Sequence, residues 1–150
     1  MKKKVGKTLK RRRLEAKTNY SKRIKLLKGN SPRIVFRKSN KYILAQFVES
    51  KEAQDKIKFG ITSKILLGYG WPKEAVNSLK TLPASYLTGL LMGKKVSDKE
   101  KVIVDFGMNR NVHKSKIYAF IKGLVDAGIE VTEKKNIFPD KECLEGKHLK

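Results

Sequence analysis

A chain of 150 residues is long enough for one domain with a single modest core. Its 39% hydrophobic and 8% aromatic content excludes a wholly disordered chain, and no stretch approaches the roughly 20 apolar residues that a membrane span needs. The dominant feature is charge: 36 Lys and Arg against 14 Asp and Glu, a formal net of +22, whose self-repulsion calls for a polyanionic partner, nucleic acid first.

Residues 1–17 hold nine Lys and Arg and one acid, Glu15, with few apolar residues, so this arm is predicted to stay unfolded until an anion orders it. Its opening, MKKKVGKTLKRRR, lacks the apolar core of a secretory signal. Thr18 or Asn19 then caps a helix over YSKRIKLLK, ended by Gly29. Tyr20, Ile24 and Leu27 form an apolar stripe suited to docking, leaving Lys22, Lys25 and Lys28 around the rest.

Pro32 opens a strand in PRIVFRK, with Ile34 and Phe36 on one face, and Ser39 and Asn40 supply a turn. The next strand, KYILAQFVES, is rather apolar on both faces and is therefore expected at the centre of the sheet. After the polar turn KEAQD, the alternation in KIKFGIT puts Ile57, Phe59 and Ile61 on one face of a third strand. These strands, joined by short links, make an antiparallel meander. SKILLGYG holds one helical turn, and GWPKEAVNSLK reads as a connecting loop. Its Gly-Tyr-Gly-Trp lacks the third glycine and the flanking order of a dinucleotide fingerprint.

Pro83 starts a helix over LPASYLTGLLMGKK, with Ala84, Leu87 and Leu91 on one side and Lys94 and Lys95 at its negative end. KVIVDFG is a continuous apolar run of the kind found in strands buried on both faces. Ser115 caps the clearest helix, in which Ile117, Phe120, Ile121, Leu124 and Val125 recur at helical spacing before Gly128. The stretch from 130 to 150, with Pro139, is expected to lie extended over the surface or loosely ordered. Its Cys143 is the only cysteine, which excludes an internal disulfide and suits a reducing compartment, so the chain reads as soluble and cytoplasmic.

The order β-β-β-α-β-α predicts an α/β fold. A three-stranded antiparallel meander is joined by a parallel strand through a helical crossover, giving a mixed sheet backed by helices, with a basic N-terminal arm. Three segments are expected: the arm and its short helix over 1–30, the globular domain over 31–130, and a C-terminal extension over 131–150.

Catalytic constellations are scarce. DFG at 105–107 matches the metal-binding triplet of kinases, but the glycine-rich and catalytic loops are missing. Asp105, at the end of a strand, could serve a small nuclease on a ribonuclease-H-like sheet. Alternatively it pairs with Arg110 or caps local backbone. His113, His148 and Cys143 have no zinc spacing. The loop NRNVHKSK, with His113, either binds phosphate or is solvated. No metal, cofactor or small-molecule substrate is implied, and a cationic assembly factor is a third class. Neither a helix-turn-helix nor the aromatic signature of the common sheet-based RNA-binding module is present. Thr18, Asn19, Tyr20, Ser39, Asn40 and Ser63, interleaved with Arg and Lys, can reach sugar hydroxyls and base edges, which suits structured RNA read by shape and 2′-OH.

Five strings in order, RRRLEAKTNYSKRIKLLK, PRIVFRKSNKYILAQ, SYLTGLLMGKK, VIVDFGMNR and IYAFIKGLVDAGIEV, resemble the ribosomal L-eighteen family, whose eukaryotic counterpart is L-five. KTNY, SNKYI and YLTGLLMG resemble its archaeal type, and the likeness runs over residues 9–131. The resemblance implies a structural protein of the large ribosomal subunit, not an enzyme. Such a protein binds 5S rRNA and attaches it to the large-subunit rRNA in the central protuberance, beside neighbouring large-subunit proteins. Carried over by match, Arg11, Arg12 and Arg13 belong to the arm that enters RNA, with Thr18, Tyr20 and Arg23 just behind it. Arg33, Arg37, Ser39, Asn40 and Lys41 match the hairpin facing 5S rRNA, and His113, Lys114 and Ser115 match an RNA-facing loop. Archaeal and eukaryotic members usually continue further, whereas this sequence stops at Lys150. Gly68 to Lys80 matches less well, and no site is assigned there.

Overall fold

The structure, a computed structural model, describes residues 8–52, 54–96, 102–131 and 137–147. The first seven residues of the arm, and His148, lie outside the described residues. In chain order the elements are α1 (Arg11–Leu14), α2 (Tyr20–Lys28), β1 (Arg33–Lys38), β2 (Ile43–Lys51) and β3 (Gln54–Thr62). Two 3-10 helices follow, Ser63–Tyr69 and Lys73–Ser78, then α3 (Leu82–Lys95), β4 (Ile103–Asp105), α4 (Lys116–Asp126) and α5 (Lys141–Glu145).

The four strands lie in the order β3-β2-β1-β4, with β1 parallel to β4 and the other pairs antiparallel. This is the predicted mixed α/β sheet backed by helices, with β2 inside it. Alternation along the strands gives it two unlike faces. Ile34, Phe36, Ile43, Ala45 and Ile61 are buried on the first and pack with Met92 of α3 and Ile117, Phe120, Ile121 and Leu124 of α4. The Phe36 and Phe120 rings lie 5.0 Å apart at 51°. Burying aliphatic and aromatic side chains here, at about 1.5–3 kcal/mol each, is the main force holding helices to sheet.

Helices α3 and α4 cross at very close range because glycines sit at the contact. A Cβ on Gly89 would overlap the Phe120 carbonyl, and one on Gly123 would overlap the Tyr86 carbonyl and lie 2.8 Å from the Leu90 nitrogen. The buried side of α3 is therefore Ala84, Ser85, Thr88, Gly89, Met92 and Gly93. The expected stripe of Ala84, Leu87 and Leu91 does share one side of α3, but only Ala84 of it is fully buried. Leu87 and Leu91 are half-buried, packed on a smaller cluster with Leu66 and Leu79. Small residues permit the closest backbone approach, so α3 meets α4 through a side that the leucine pattern does not mark.

Four other expectations change. Strand β4 pairs only with β1 and is a half-buried edge, not a strand buried on both faces. It meets α2 through the Lys22–Asp105 pair, and α2 carries no buried residue. Residues 73–78, expected as loop, form a 3-10 helix, with the Trp71 indole donating to the Ala75 carbonyl at 3.0 Å. Ile137 and Phe138 are not loose but pack against the core, and Lys122 lies over the Phe138 ring at 5.7 Å. Finally, a register shift between Phe47 and Val48 pairs Phe47 with Phe59 but Val48 with Ile57. The extra residue turns Ile57 to the opposite face, where it is 53% exposed, while Phe59 stacks on Phe47 at 5.3 Å.

Candidate nucleic-acid interface

The second face of the sheet carries Arg33, Val35 and Arg37 from β1 and Asp105 beside Val35 from β4. Helix α2 lies along it, N-capped by Asn19, whose Oδ1 accepts from the Lys22 amide at 3.1 Å. Of the expected apolar stripe, Tyr20 and Leu27 are half-buried but Ile24 is not. Ile24 is 53% exposed, and the half-buried positions include Lys22, Arg23 and Leu26. What reaches the sheet is charge: Lys22 pairs with Asp105 at 3.4 Å, and Arg23 with Asp55 at 3.1 Å.

The arm folds back onto the same side. Residues 11–14, expected to be unfolded, make one helical turn, and the Lys17 and Thr18 amides donate to the Arg12 carbonyl at 2.9 and 3.1 Å. The Arg12 Nε donates to the Thr18 hydroxyl at 2.9 Å, and the Lys10 ammonium lies 4.6 Å from the centre of the Tyr20 ring. Arg11 and Lys17 both reach Glu15, at 3.5 and 2.7 Å. Arg13 is exposed beside Met108.

These pieces enclose a cleft of about 110 Å³ lined by six cations, Arg12, Lys17, Lys22, Arg23, Arg33 and Arg37, with Asp105 as its one carboxylate and Gly107 and Met108 at its edge. Arg37 is exposed there. Arg33 is different: 3% exposed, it donates to Asp55 at 2.6 Å and to Ser50 at 2.8 Å, while its Nε has no partner. Asp55 thus binds two guanidiniums. Burial pulls its carboxyl upward, but the Ser50 hydroxyl, Arg33 and Arg23 outweigh this and hold it below the usual carboxylate value.

Because β1 and β4 run parallel, the loops that follow them emerge at the same end of the sheet. The first is the hairpin tip, closed by Ser39, whose hydroxyl accepts from the Tyr42 amide at 2.9 Å and donates to its carbonyl at 3.0 Å. Asn40 and Lys41 stand exposed at the tip. The second is the loop 106–115. There His113 is exposed, edge-on to Tyr118 at 6.0 Å, and Lys114 pairs with Asp140 at 3.0 Å. Ser115 precedes α4 as expected, but its hydroxyl makes no capping bond and is buried without a partner. Lys116 completes this end. Burial depresses its ammonium, and the positive charges of Lys80 and Lys38 depress it further.

Ser63 belongs elsewhere. It is fully buried and its hydroxyl accepts from the Ile43 amide at 3.1 Å, so its expected reach toward a ligand is corrected: the strand end needs that acceptor inside the fold. Lys17 and Lys22 were missed as site residues because each looks like one more lysine of a solvated run. Asp105 accepts from the Gly107 amide at 2.9 Å, which is the local capping expected, with Lys22 rather than Arg110 as its ionic partner. Among the described residues, no three His, Cys, Asp or Glu side chains come together as a metal site would require, and no helix is long and apolar enough to cross a membrane.

Comparison with known proteins identifies relatives of this chain. Residues 4–102 match the family described as ribosomal large subunit proteins 60S L5 and 50S L18. The large ribosomal subunit protein uL18 of Korarchaeum cryptofilum is 42% identical over 141 residues, covering 93% of this chain and 70% of that protein. Those of Natronomonas pharaonis and Halobacterium salinarum are 39% and 38% identical, over 93% of this chain and 74% and 75% of theirs. By sequence match along most of its length, the chain belongs to the family of ribosomal large subunit proteins 60S L5 and 50S L18.

Proposed function

We propose that this protein is a structural constituent of the large ribosomal subunit in the cytoplasm. It binds 5S rRNA and attaches it to the large-subunit rRNA in the central protuberance, alongside neighbouring large-subunit proteins. The observation that carries the reading is the convergence of arm, α2, β1 and the loop after β4 on one cleft with six cations and one carboxylate. Such a surface meets a folded phosphate backbone from several directions. The exposed amide of Asn40 and the hydroxyl of Thr18 add donors and acceptors for sugars and base edges.

Roles divide by placement. Arg11, Arg12, Arg13 and Lys41 are exposed point contacts that neutralise phosphate. Asn40, exposed on a hairpin tip closed by Ser39, offers an amide that can discriminate between base edges. His113 and Lys114, exposed at the same end of the sheet, extend the surface toward a second RNA segment, with Ser115 behind them at the start of α4. The test is competition binding of 5S rRNA against tRNA of similar length. Wild type is expected to prefer 5S rRNA. Asn40→Ala should lower that preference, whereas joint replacement of Arg12 and Arg13 by Ala should weaken both RNAs alike. Equal affinity of wild type for the two RNAs would overturn the reading.

A further inference from the structure

Helix α2 is placed in an unusual way. It has no buried side chain, its largest exposed apolar residue faces solvent, and it presents cations to a sheet face that already carries Arg33 and Arg37. Apolar packing is limited to the half-buried Tyr20, Leu26 and Leu27, and like charges oppose its approach. Two carboxylates reverse that sign, and of these Asp55 has the larger reach. Its Oδ2 takes Arg23 of α2 at 3.1 Å, while its Oδ1 takes both Arg33 of β1 at 2.6 Å and the Ser50 hydroxyl of β2 at 2.7 Å. One side chain on β3 therefore joins three other elements.

Asp55 reaches this position through the irregularity in β3. With unbroken register from the Phe47–Phe59 pair it would stand opposite Lys51, on the face of Phe47. The one-residue shift puts it opposite Ser50 instead, on the face of Arg33. The bulge that costs the strand its regular apolar alternation also delivers a carboxylate beneath the cationic helix.

We infer that Asp55 is a positioning residue of the RNA-binding face: it ties Arg23 to Arg33 and so fixes the orientation in which α2 and the arm before it present their cations. This rests on the RNA-binding reading for its functional consequence, but the tie itself is a property of the free protein. Its direction is opposite to that of bulk charge. Removing an acid from a chain of net charge +22 should tighten binding to any polyanion if charge alone mattered. If Asp55 positions α2, the same change loosens the cognate complex.

The experiment uses Asp55→Asn in the full chain with two readouts: affinity for 5S rRNA and for tRNA, and amide hydrogen exchange of residues 20–28 against residues 43–48. The expected result is a roughly tenfold loss of 5S rRNA affinity, the size of one lost charge-assisted hydrogen bond, with tRNA binding unchanged or tighter. Exchange in α2 should rise while the strand stays protected. Should the single variant fold poorly because Arg33 is left buried and unpaired, Asp55→Asn with Arg33→Met removes the tie without that charge and is expected to give the same pattern. Equal or tighter binding of both RNAs, or unchanged exchange in α2, overturns the inference. A wild type that ignores the difference between the RNAs counts against the RNA-binding reading, and the exchange measurement then decides on the tie alone.

Discussion

At the scale of single residues, the charged side chains of this protein divide into those that face a ligand and those that hold the others in place. Arg33 and Asp55 are of the second kind, and their pairing makes stability depend on acid. The Asp55 carboxyl is depressed in the fold, so its stabilisation is present above the ordinary aspartate pKa of about 3.9 and is lost as pH falls through the folded value. The groups facing it are Arg33 from β1, Arg23 from α2 and Ser50 from β2. Urea midpoints of wild type and Asp55→Asn should therefore differ near neutral pH and converge as pH falls through the depressed folded value. A gap that stays constant with pH would assign the difference to packing instead. None of this was visible in the sequence, where Arg33 reads as one more cation of a basic hairpin. Burial is set by neighbours brought from elsewhere in the chain, and so is the fate of Ser63, a plausible surface hydroxyl that became an internal acceptor.

At the scale of elements, α3 and α4 show where pattern and packing compete. Helix α4 was legible because its apolar residues recur at helical spacing and are buried as that spacing requires. Helix α3 was legible as a helix and in its leucine side, but not in its contact with α4, which is made by small residues that carry no hydrophobic signal. Gly123→Ala tests this. Intrinsic propensity favours alanine by about 1 kcal/mol, whereas the new methyl meets rigid α3 backbone at Tyr86 and Leu90, and overpacking typically costs about 1–3 kcal/mol. The clash should win, lowering the denaturation midpoint. Gly68→Ala, where a Cβ meets nothing within 4 Å, should change it little. Stabilisation by Gly123→Ala would mean that the helices separate easily. Helix α2 is the converse case: its apolar stripe was clear in sequence, yet Ile24 points to solvent because ion pairs to Asp55 and Asp105 set its rotation.

At the scale of the whole molecule, charge and topology act together. The parallel pairing of β1 with β4 brings the hairpin tip and the loop before α4 to one end of the sheet, and α2 with the arm covers the adjoining face. Binding spread over that surface releases many counterions. The logarithm of RNA affinity against that of salt should fall with a slope of roughly −4 or steeper, at about −0.7 to −0.9 per phosphate contact. Replacing Arg12, Arg13 and Lys17 together by Ala should flatten it by roughly 2–3. A slope near zero in wild type would mean that phosphate neutralisation is not what the surface does.

Local patterns settled what local physics controls. Net charge implied a polyanion, strand alternation and helical spacing gave β-β-β-α-β-α, turn residues marked the hairpin, and ordered motifs carried the family likeness. Tertiary structure decided what depends on distant neighbours: the edge position of β4, the glycine-mediated helix contact, and the rotation of α2. It also decided which arginine is buried and which carboxylate lies beneath the cations. The one-residue shift in β3 shows why. In sequence Ile57, Phe59 and Ile61 alternate without interruption, and only pairing with β2 reveals the extra residue that turns Ile57 outward and Asp55 toward Arg33.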